Sequence, residues 1–186
     1  MSDSGLKAAV QHAESITDPN PTPERAKAGE YRKGSLTIHG MKVVIENARG
    51  STRSGIGPNG KKWSVKMPAT YGYVDRTIGV DGDEVDVYIG PNPSSDIVYV
   101  IDQIDADSGV FDEHKAMLGY DSIDEALADY DAAFDDGRGP DRRGAVTTMC
   151  IQTFRDWMRE GTADRPAALF SVAGGGQVNT ASDASQ

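Results

Sequence analysis

Apolar and polar side chains alternate in several short segments between residues 35 and 118. Alternation with a period of two is typical of β-strands that bury one face. Clusters of Gly, Asn and Pro lie between the segments and predict turns. The predicted strands are Ser35 to His39, Met41 to Glu46, Lys62 to Met67, Val85 to Ile89, Ile97 to Ile104 and Val110 to Leu118.

The pattern changes after residue 120, where apolar side chains recur at helical spacing. Ser122 and Glu125 form a capping box, which predicts the start of a first helix. A second helix is predicted over about Thr148 to Glu160, ending before Gly161. Strands followed by helices indicate an α+β fold. We expect a small, strongly bent antiparallel β-sheet or barrel, OB-like in shape, with two C-terminal helices packed on it.

The two ends of the chain have weaker patterns than the middle. Residues 1–30 are rich in Ser, Asp, Pro, Ala and Glu, and we expect a flexible or loosely docked segment there. Residues 171–186, which end in Gly, Ser, Thr and Asn with almost no apolar content, are predicted to form a disordered tail. The intervening residues 31–170 are predicted to form one domain, since 186 residues are too few for two full-sized ones.

The chain has 29 acidic and 19 basic residues, which gives a formal net charge of −10. This excess of negative charge disfavours nucleic acid as a partner, because its phosphates are contacted mainly by Lys and Arg. No apolar run approaches the roughly 20 residues of a membrane span, and residues 1–20 lack a signal-peptide pattern, so we expect a cytoplasmic protein without membrane partners. The single cysteine, Cys150, excludes an internal disulfide and a cysteine-based zinc cluster.

One short acidic segment, Asp81 to Val87, reads Asp-Gly-Asp-Glu-Val-Asp-Val. Strand alternation turns Asp86 away from its apolar neighbours, and Asp81 and Asp83 precede it on a glycine-flanked turn. Three carboxylates this close repel one another unless a divalent cation neutralises them. Oxygen ligands without nearby Cys or paired His favour magnesium, manganese or calcium over zinc.

Two other interpretations of this segment are an EF-hand calcium loop and a solvated acidic turn. The EF-hand pattern requires Gly at the sixth position and Glu at the twelfth. Counted from Asp81, these positions hold Asp86 and Asn92, so the EF-hand interpretation fails. The solvated turn stays open on the acidic segment alone.

The acidic segment resembles the signature of family I soluble inorganic pyrophosphatases at all seven of its positions. Upstream, Pro68 to Tyr73 is similar to the family's Pro-x-x-Tyr-Gly-Tyr element, and Val44 to Glu46 resembles its early strand ending in glutamate. The resemblance covers roughly residues 30–160. It is strongest to a divergent branch carried by bacteriophages and prophages, whose recurring segments correspond to Gly29–Gly34, Gly50–Gly55 and Asp112–Lys115.

The resemblance implies a role for each aspartate of the signature. Asp81 and Asp86 correspond to ligands of the metals that hold the nucleophilic water. Asp83 corresponds to the general base that takes the proton of that water. The metal implied is Mg²⁺, with Mn²⁺ as a possible substitute.

Further metal ligands are expected on the hairpin after the strand that ends at Ile104. The candidates are Asp105 and one of Asp112 and Glu113. Glu113 is preferred, because strand alternation places it on the same face as Lys115 at the family's carboxylate-x-lysine spacing, while Asp112 remains open. Alternation turns His114 away from both, which favours an ordinary structural histidine.

Pyrophosphate carries several negative charges, so its leaving phosphate has to be stabilised by cations. The family places a lysine and an arginine on the stretch that here holds Arg53 and Lys61, although the spacing departs from that of the cellular enzymes. Tyr71 matches the family's tyrosine that hydrogen-bonds at the active site. The Tyr-Lys pair that cellular enzymes carry on a C-terminal helix is missing here. The other residues predicted to bind substrate are Lys115, Arg142, Arg143 and Glu46.

The sequence therefore predicts a magnesium-dependent hydrolase that splits inorganic pyrophosphate into two phosphates. The alternatives are a hydrolase of nucleotides or other phosphoanhydrides, and a non-catalytic phage protein that binds metal or phosphate. Retention of all three signature aspartates favours catalysis, because a binding protein has less need of the base. The predicted partner is the small-molecule substrate, and a homo-oligomer is compatible with the sequence.

Overall fold

One mixed β-sheet organises the part of the chain that this computed structural model describes, residues 2–57, 60–160, 165–170 and 177–179. In chain order the strands are β1 (Ser35–Ile38), β2 (Met41–Asn47), β3 (Thr52–Ile56), β4 (Lys62–Lys66), β5 (Thr70–Val74), β6 (Asp86–Ile89), β7 (Ile97–Ile104), β8 (Phe111–Leu118), β9 (Arg143–Cys150) and β10 (Gln177–Asn179). Eight of them form the sheet in the order β1-β2-β5-β6-β8-β7-β9-β10, and β3 and β4 form a separate hairpin.

The helices are α1 (Asp3–Ile16), α2 (Pro23–Ala28), α3 (Ile123–Ala132) and α4 (Ile151–Arg159). The backbone N–H of Glu125 donates to the Ser122 hydroxyl, so the predicted start of α3 is confirmed. Because β9 extends to Cys150, α4 begins three residues later than predicted, and it buries Phe154 and Trp157. Within the described ranges, no helix is both long and apolar enough to cross a membrane.

The α+β class is confirmed, but the sheet differs from the predicted antiparallel one in one pair of strands. β6 and β8 run parallel, with Asp86 opposite Lys115, while the other neighbouring strands are antiparallel. The strand order is open, with β1 and β10 at its two edges among the described strands, so the barrel alternative is wrong. Alternation within single strands carries no information on the direction of their partners, which is why the parallel pair escaped prediction.

Helix α1 packs on the sheet. Leu6, Val10 and Ala13 are buried in the main core. A Cβ atom on Gly34 would lie 2.0 Å from the carbonyl oxygen of Ala13, so the helix and the chain entering β1 are in direct contact. The expectation of a flexible or loosely docked segment therefore does not describe α1, whereas α2 buries no residue.

The C-terminal end is described only in part. Gln177–Asn179 form β10 and pair with β9, in a stretch where a disordered tail was expected. The rest of that predicted tail, residues 171–176 and 180–186, lies outside the described residues. The division into a domain at 31–170 with two flanking segments stays a prediction.

Each face of the sheet carries its own buried cluster. Val85, Val87 and Ile89 belong to the larger cluster, which α1 and α4 cover. Tyr88 points to the opposite face and lies in a second cluster with Tyr71, so the predicted alternation in this segment is confirmed. The second cluster also contains Met67, Tyr99, Ile101, Met117, Tyr120 and Tyr130.

Gly72 has a packing reason to lack a side chain. It lies on β5 opposite Ile45 of β2, where the register of the two strands shifts at Glu46. A Cβ atom on Gly72 would lie 1.9 Å from the carbonyl oxygen of Val44, which is backbone and cannot move independently. The glycine between Tyr71 and Tyr73 thus lets β2 approach β5 closely.

We predict that Gly72→Ala lowers the free energy of unfolding by about 3 kcal/mol or more, because the added methyl group forces two strands apart. Chemical denaturation monitored by circular dichroism measures this loss. Gly109→Ala serves as the control: its φ is +70° and no atom lies within 4 Å of the new Cβ, so only about 1 kcal/mol of conformational cost is expected. Equal losses for the two variants would contradict the close approach at Gly72.

Candidate active site

A polar row borders the aromatic cluster on the second face of the sheet. Asp86 of β6 lies opposite Lys115 of β8 in the parallel pair. Two residues earlier on β8, Glu113 lies opposite Gln103 of β7. Residues two apart on a strand share a face, so the sheet register alone brings these polar side chains together.

The Lys115 ammonium is the centre of this row. Its side chain is only 7% exposed, and Nζ contacts Asp86 Oδ2 and lies 3.0 Å from Glu113 Oε1. Nζ also donates to the Tyr71 hydroxyl at 3.4 Å. Burial lowers the pKa of Lys115, but Tyr71, Asp86 and Glu113 outweigh burial, so that the pKa lies well above its ordinary value. The site therefore holds a permanent buried cation between two carboxylates.

Gln103 is a site residue that sequence reasoning missed. Its Nε2 donates to Glu113 Oε1 at 3.0 Å and to Asp112 Oδ2 at 3.1 Å, while its Oε1 accepts from the Tyr130 hydroxyl at 2.9 Å. The sequence of β7 contained a sign of this role. Strand alternation places the polar Gln103 on the same face as the apolar Ile101, so a polar side chain is expected there on a buried face. Burial raises the pKa of Glu113, and the nearby Asp86 carboxylate adds to that rise against the opposing effect of Lys115.

Arg53 reaches this row from the β3–β4 hairpin. Its Nη2 donates to the Tyr71 hydroxyl at 3.5 Å, and its guanidinium carbon lies 4.4 Å from the centre of the Tyr71 ring and 5.7 Å from that of Trp63. Burial lowers the pKa of Arg53, yet Tyr71, Tyr88 and Asp86 shift it above its ordinary value. The Tyr71 hydroxyl thus accepts from two cations, and burial raises its own pKa.

The acidic loop places its aspartates differently from one another. Asp81 and Asp83 are exposed, and the backbone N–H of Asp83 donates to Asp81 Oδ1 at 3.1 Å. Asp81, Asp86 and Glu113 line the same small cavity, together with Glu84 and His114. The structure therefore brings three of the predicted metal ligands around one space, with Asp83 beside them in sequence.

The donor set around this cavity suits a hard divalent cation, since carboxylate oxygens are the ligands that Mg²⁺ and Mn²⁺ prefer. Across the described ranges, no three Asp, Glu, His or Cys side chains already stand in a metal-binding arrangement. The Lys115 ammonium lies between Asp86 and Glu113 and contacts both carboxylates. The residues fit the ion by their chemistry.

A cleft of about 500 Å³ opens beside the polar row. Its lining includes five of the residues predicted to bind metal or substrate: Arg53, Lys61, Glu113, Lys115 and Arg142. Trp63 and Phe134 contribute aromatic surface, and Asp135 and Asp136 contribute acidic groups. The cleft thus brings together cations that lie up to 89 residues apart, from Arg53 to Arg142, while their role in binding phosphate stays a prediction.

Four of the predicted site residues form hydrogen bonds or ion pairs with other protein groups. Asp105 Oδ1 accepts from the backbone N–H groups of Asp107 and Ser108 and from the Ser108 hydroxyl, so its carboxylate holds its own turn. Neither the cleft nor the small cavity includes it among the lining residues. Glu46 pairs with Lys33 at 2.7 Å, Arg143 with Asp131 at 2.8 Å, and Asp112 with Gln103.

Arg142 lines the cleft and forms an ion pair with the neighbouring Asp136. Its two terminal nitrogens donate to the two Asp136 oxygens at 2.9 and 2.7 Å, and its guanidinium carbon lies 4.6 Å from the Phe134 ring centre. Hydrogen bonds from Arg142 lower the pKa of Asp136 to about 2. The positive charge at this end of the cleft is therefore largely neutralised.

A family model described as Inorganic Pyrophosphatase matches residues 23–159, which include every site residue described above. The chain belongs to the inorganic pyrophosphatase family. The predicted enzyme class, a phosphoanhydride hydrolase of this family, is thereby confirmed, whereas the phage branch stays a prediction.

Comparison of this chain with solved structures shows a likeness to the inorganic phosphatase from Anaplasma phagocytophilum. The identity is 17% and the TM-score 0.36, over 81% of this chain and 99% of the other. A comparison with curated proteins found no match.

His114 lies on the opposite face of β8 from the polar row. Its ring packs edge-on against Trp157 with centroids 4.9 Å apart, and its Nε2 lies 3.0 Å from the Arg165 carbonyl oxygen. Asp102 Oδ1 lies 3.5 Å from the same nitrogen and accepts from the backbone of Ala167. Burial lowers the pKa of His114 to about 4, so the imidazole is neutral in the folded protein. The structural role expected for this histidine agrees with these contacts.

We predict that this buried histidine makes the protein less stable in mild acid. Between about pH 6.5 and 4 the unfolded chain protonates His114 and the folded chain does not, so up to about 3 kcal/mol of stability is lost as the pH falls. The raised pKa of Asp102, caused by burial, acts in the opposite direction at the acidic end. Urea denaturation at a series of pH values measures the slope, and His114→Gln isolates it because glutamine does not titrate. Parallel slopes in the two proteins would contradict the prediction.

Proposed function

We propose that this chain hydrolyses inorganic pyrophosphate to two phosphates with the help of Mg²⁺, for which Mn²⁺ can substitute. The observation that carries the proposal is the buried Lys115 ammonium, held between Asp86 and Glu113 and next to Arg53 in one cleft. Fixed cations bind the phosphates of the substrate, and adjacent carboxylates supply oxygen ligands for metal ions. Family membership supports the same reaction.

Asp81, Asp86 and Glu113 are the residues that we propose as metal ligands, since all three line one small cavity. Asp112 is proposed to act through Gln103, which donates to it and to Glu113. When bound, Mg²⁺ would neutralise carboxylate and phosphate charge and make a bound water more acidic.

Asp83 is proposed to accept the proton of the attacking water. It follows Asp81 by two residues on the same loop, and its exposure lets the proton pass on to solvent. A carboxylate suits this task once the water is acidified, because only modest basicity is then required.

Arg53, Lys61 and Lys115 are proposed to bind the phosphates, with Arg142 at the outer end of the cleft. Tyr71 supports them in two ways. Its oxygen accepts from Arg53 and Lys115 and fixes both cations. Because burial raises its pKa, the hydroxyl keeps its proton at neutral pH and can donate it to a phosphate oxygen.

The proposed setting is the cytoplasm of a bacterium or of a phage-infected host, where polymerases release pyrophosphate. The resemblance of Gly29–Gly34 and Asp112–Lys115 to segments of phage-borne relatives supports this setting. Removal of pyrophosphate would draw polymerisation forward by mass action.

We predict that the purified protein releases phosphate from pyrophosphate in MgCl₂ and loses this activity in EDTA. Asp83→Asn should lower kcat about 10²–10⁴-fold, because an amide keeps the shape of the carboxylate but cannot accept a proton. A colorimetric phosphate assay measures both effects. Asp124→Asn on α3 is the matched control, since it removes an equally exposed aspartate outside the cleft. An Asp83→Asn enzyme with the original rate would exclude Asp83 as the base.

Two variants distinguish Glu113 from Asp105 as the metal ligand on the β7–β8 hairpin. Glu113→Gln should raise the Mg²⁺ concentration for half-maximal activity at least about tenfold, because it removes an oxygen donor next to Asp86. Asp105→Asn should leave this concentration nearly unchanged, since the Asp105 carboxylate is engaged in its own turn. The opposite order would assign the metal to Asp105. Thermal melting of both variants controls for a loss of folded protein.

A further inference from the structure

The cleft is larger than inorganic pyrophosphate requires. Its volume of about 500 Å³ falls within the about 300–1,000 Å³ that sites for drug-sized organic ligands occupy. Pyrophosphate has no carbon atoms and is smaller than such ligands. The cleft therefore has room for an organic group attached to the phosphates.

Part of the cleft wall is aromatic. Trp63 and Phe134 are partly exposed and line it, although neither side chain can contribute to binding a small, highly charged inorganic anion. Each ring lies beside a guanidinium group, that of Arg53 for Trp63 and that of Arg142 for Phe134. Aromatic rings and guanidinium planes are the surfaces on which proteins stack nucleobases.

The position of Trp63 is built into the hairpin. Trp63 lies opposite Gly55, and a Cβ atom on that glycine would come 2.5 Å from Cζ2 of the indole. The absence of a side chain at residue 55 is therefore what allows the ring to lie against β3 at the wall of the cleft. Trp63 and Asp135 also line a second groove of about 450 Å³, together with residues of both hairpin strands.

The cleft is lined by charges that differ in burial. Lys115 is buried and Arg53 half-buried, whereas Asp135 and Asp136 are exposed and Arg142 pairs with Asp136. Carboxylates repel phosphate but accept hydrogen bonds from the amino groups of nucleobases. Asp136 is occupied by Arg142, while Asp135 is exposed at the rim. The polarity fits a ligand with anionic phosphates at one end and a neutral, hydrogen-bonding ring at the other.

We propose that the cleft also takes nucleoside diphosphates, with the diphosphate at Arg53 and Lys115 and the base against Trp63 and Phe134. The inner half of this assignment rests on the pyrophosphatase function proposed above. In the corresponding hydrolysis, a water oxygen bonds to the terminal phosphorus and the bond from that phosphorus to the bridging oxygen breaks. The electron pair leaves with the nucleoside monophosphate, and the water proton passes through Asp83 to solvent. The products are a nucleoside monophosphate and phosphate.

The test compares ADP with methyl diphosphate, which carries the same diphosphate monoester but no ring. Isothermal titration calorimetry on the full-length Asp83→Asn protein in MgCl₂ measures both dissociation constants, with chromatography to verify that neither ligand is cleaved. ADP should bind about tenfold or more tightly than methyl diphosphate, the gain expected from stacking of one base. Equal or weaker binding of ADP would overturn the proposal.

Two further variants tie the gain to the aromatic wall. In Trp63→Leu and Phe134→Leu backgrounds, the ratio of the two dissociation constants should fall towards one. Gly55→Ala should lower the same ratio without removing any cleft side chain, because it displaces the indole. Thermal melting identifies any variant that fails to fold, and the remaining variants then decide the question. An unchanged ratio in folded variants would contradict the aromatic subsite.

The outcome also separates this inference from the pyrophosphatase function. Pyrophosphate turnover by the unaltered enzyme without any preference for ADP over methyl diphosphate would refute the nucleotide subsite and leave the proposed function intact. Preferential ADP binding without pyrophosphate turnover would support the subsite and refute the proposed function.

Discussion

The contact between the Lys115 ammonium and the two carboxylates of Asp86 and Glu113 is the interaction on which the site depends. A buried ammonium is stable only if nearby negative charges offset the loss of hydration, and these two carboxylates do so. Each carboxylate in turn is stabilised by the cation, because two like charges this close repel each other. The three charges are therefore stable as a set, and the substrate cleft is built beside that set.

Parallel pairing of β6 with β8 creates this contact. It places Asp86 directly opposite Lys115, although 28 residues of sequence lie between them. The antiparallel partner β7 then adds Gln103, whose amide links Glu113 to Tyr130 at the end of α3. Hydrogen bonds from two strands and a helix thus hold the carboxylate row in one orientation, which is what a preorganised electrostatic site requires.

The aromatic cluster beneath the row supplies a buried floor, from which the hydroxyls of Tyr71 and Tyr130 reach the polar side chains. Tyr71 and Tyr88 pack with ring centroids 4.9 Å apart, and the Tyr71 hydroxyl reaches up to Arg53 and Lys115. A low-dielectric floor strengthens the attraction between these cations and an anion bound above them. In a chain of net charge −10, the cleft still gathers four cations, Arg53, Lys61, Lys115 and Arg142, although Asp86, Glu113 and Asp136 offset part of their charge.

Local sequence patterns were sufficient to predict several features of the fold and of the site. Strand alternation assigned the opposite faces of Val87 and Tyr88 and placed Glu113 with Lys115, and the Ser122 cap located the start of α3. Each of these depends on residues close together in the sequence, where backbone geometry alone decides which side chains are neighbours. The acidic signature likewise led to the family, because its chemistry is written in one continuous segment.

What the sequence by itself determined was thus the class of fold, the acidic loop and the kind of chemistry. The tertiary structure alone decided the parallel pairing of β6 and β8, the role of Gln103, the capping of Asp105 by its own turn, and the docking of α1. Most of these features join residues that are distant in sequence. For Asp105, two uses of one carboxylate compete, metal binding and hydrogen bonding within its turn. Only the packing of the whole chain determines which contacts form.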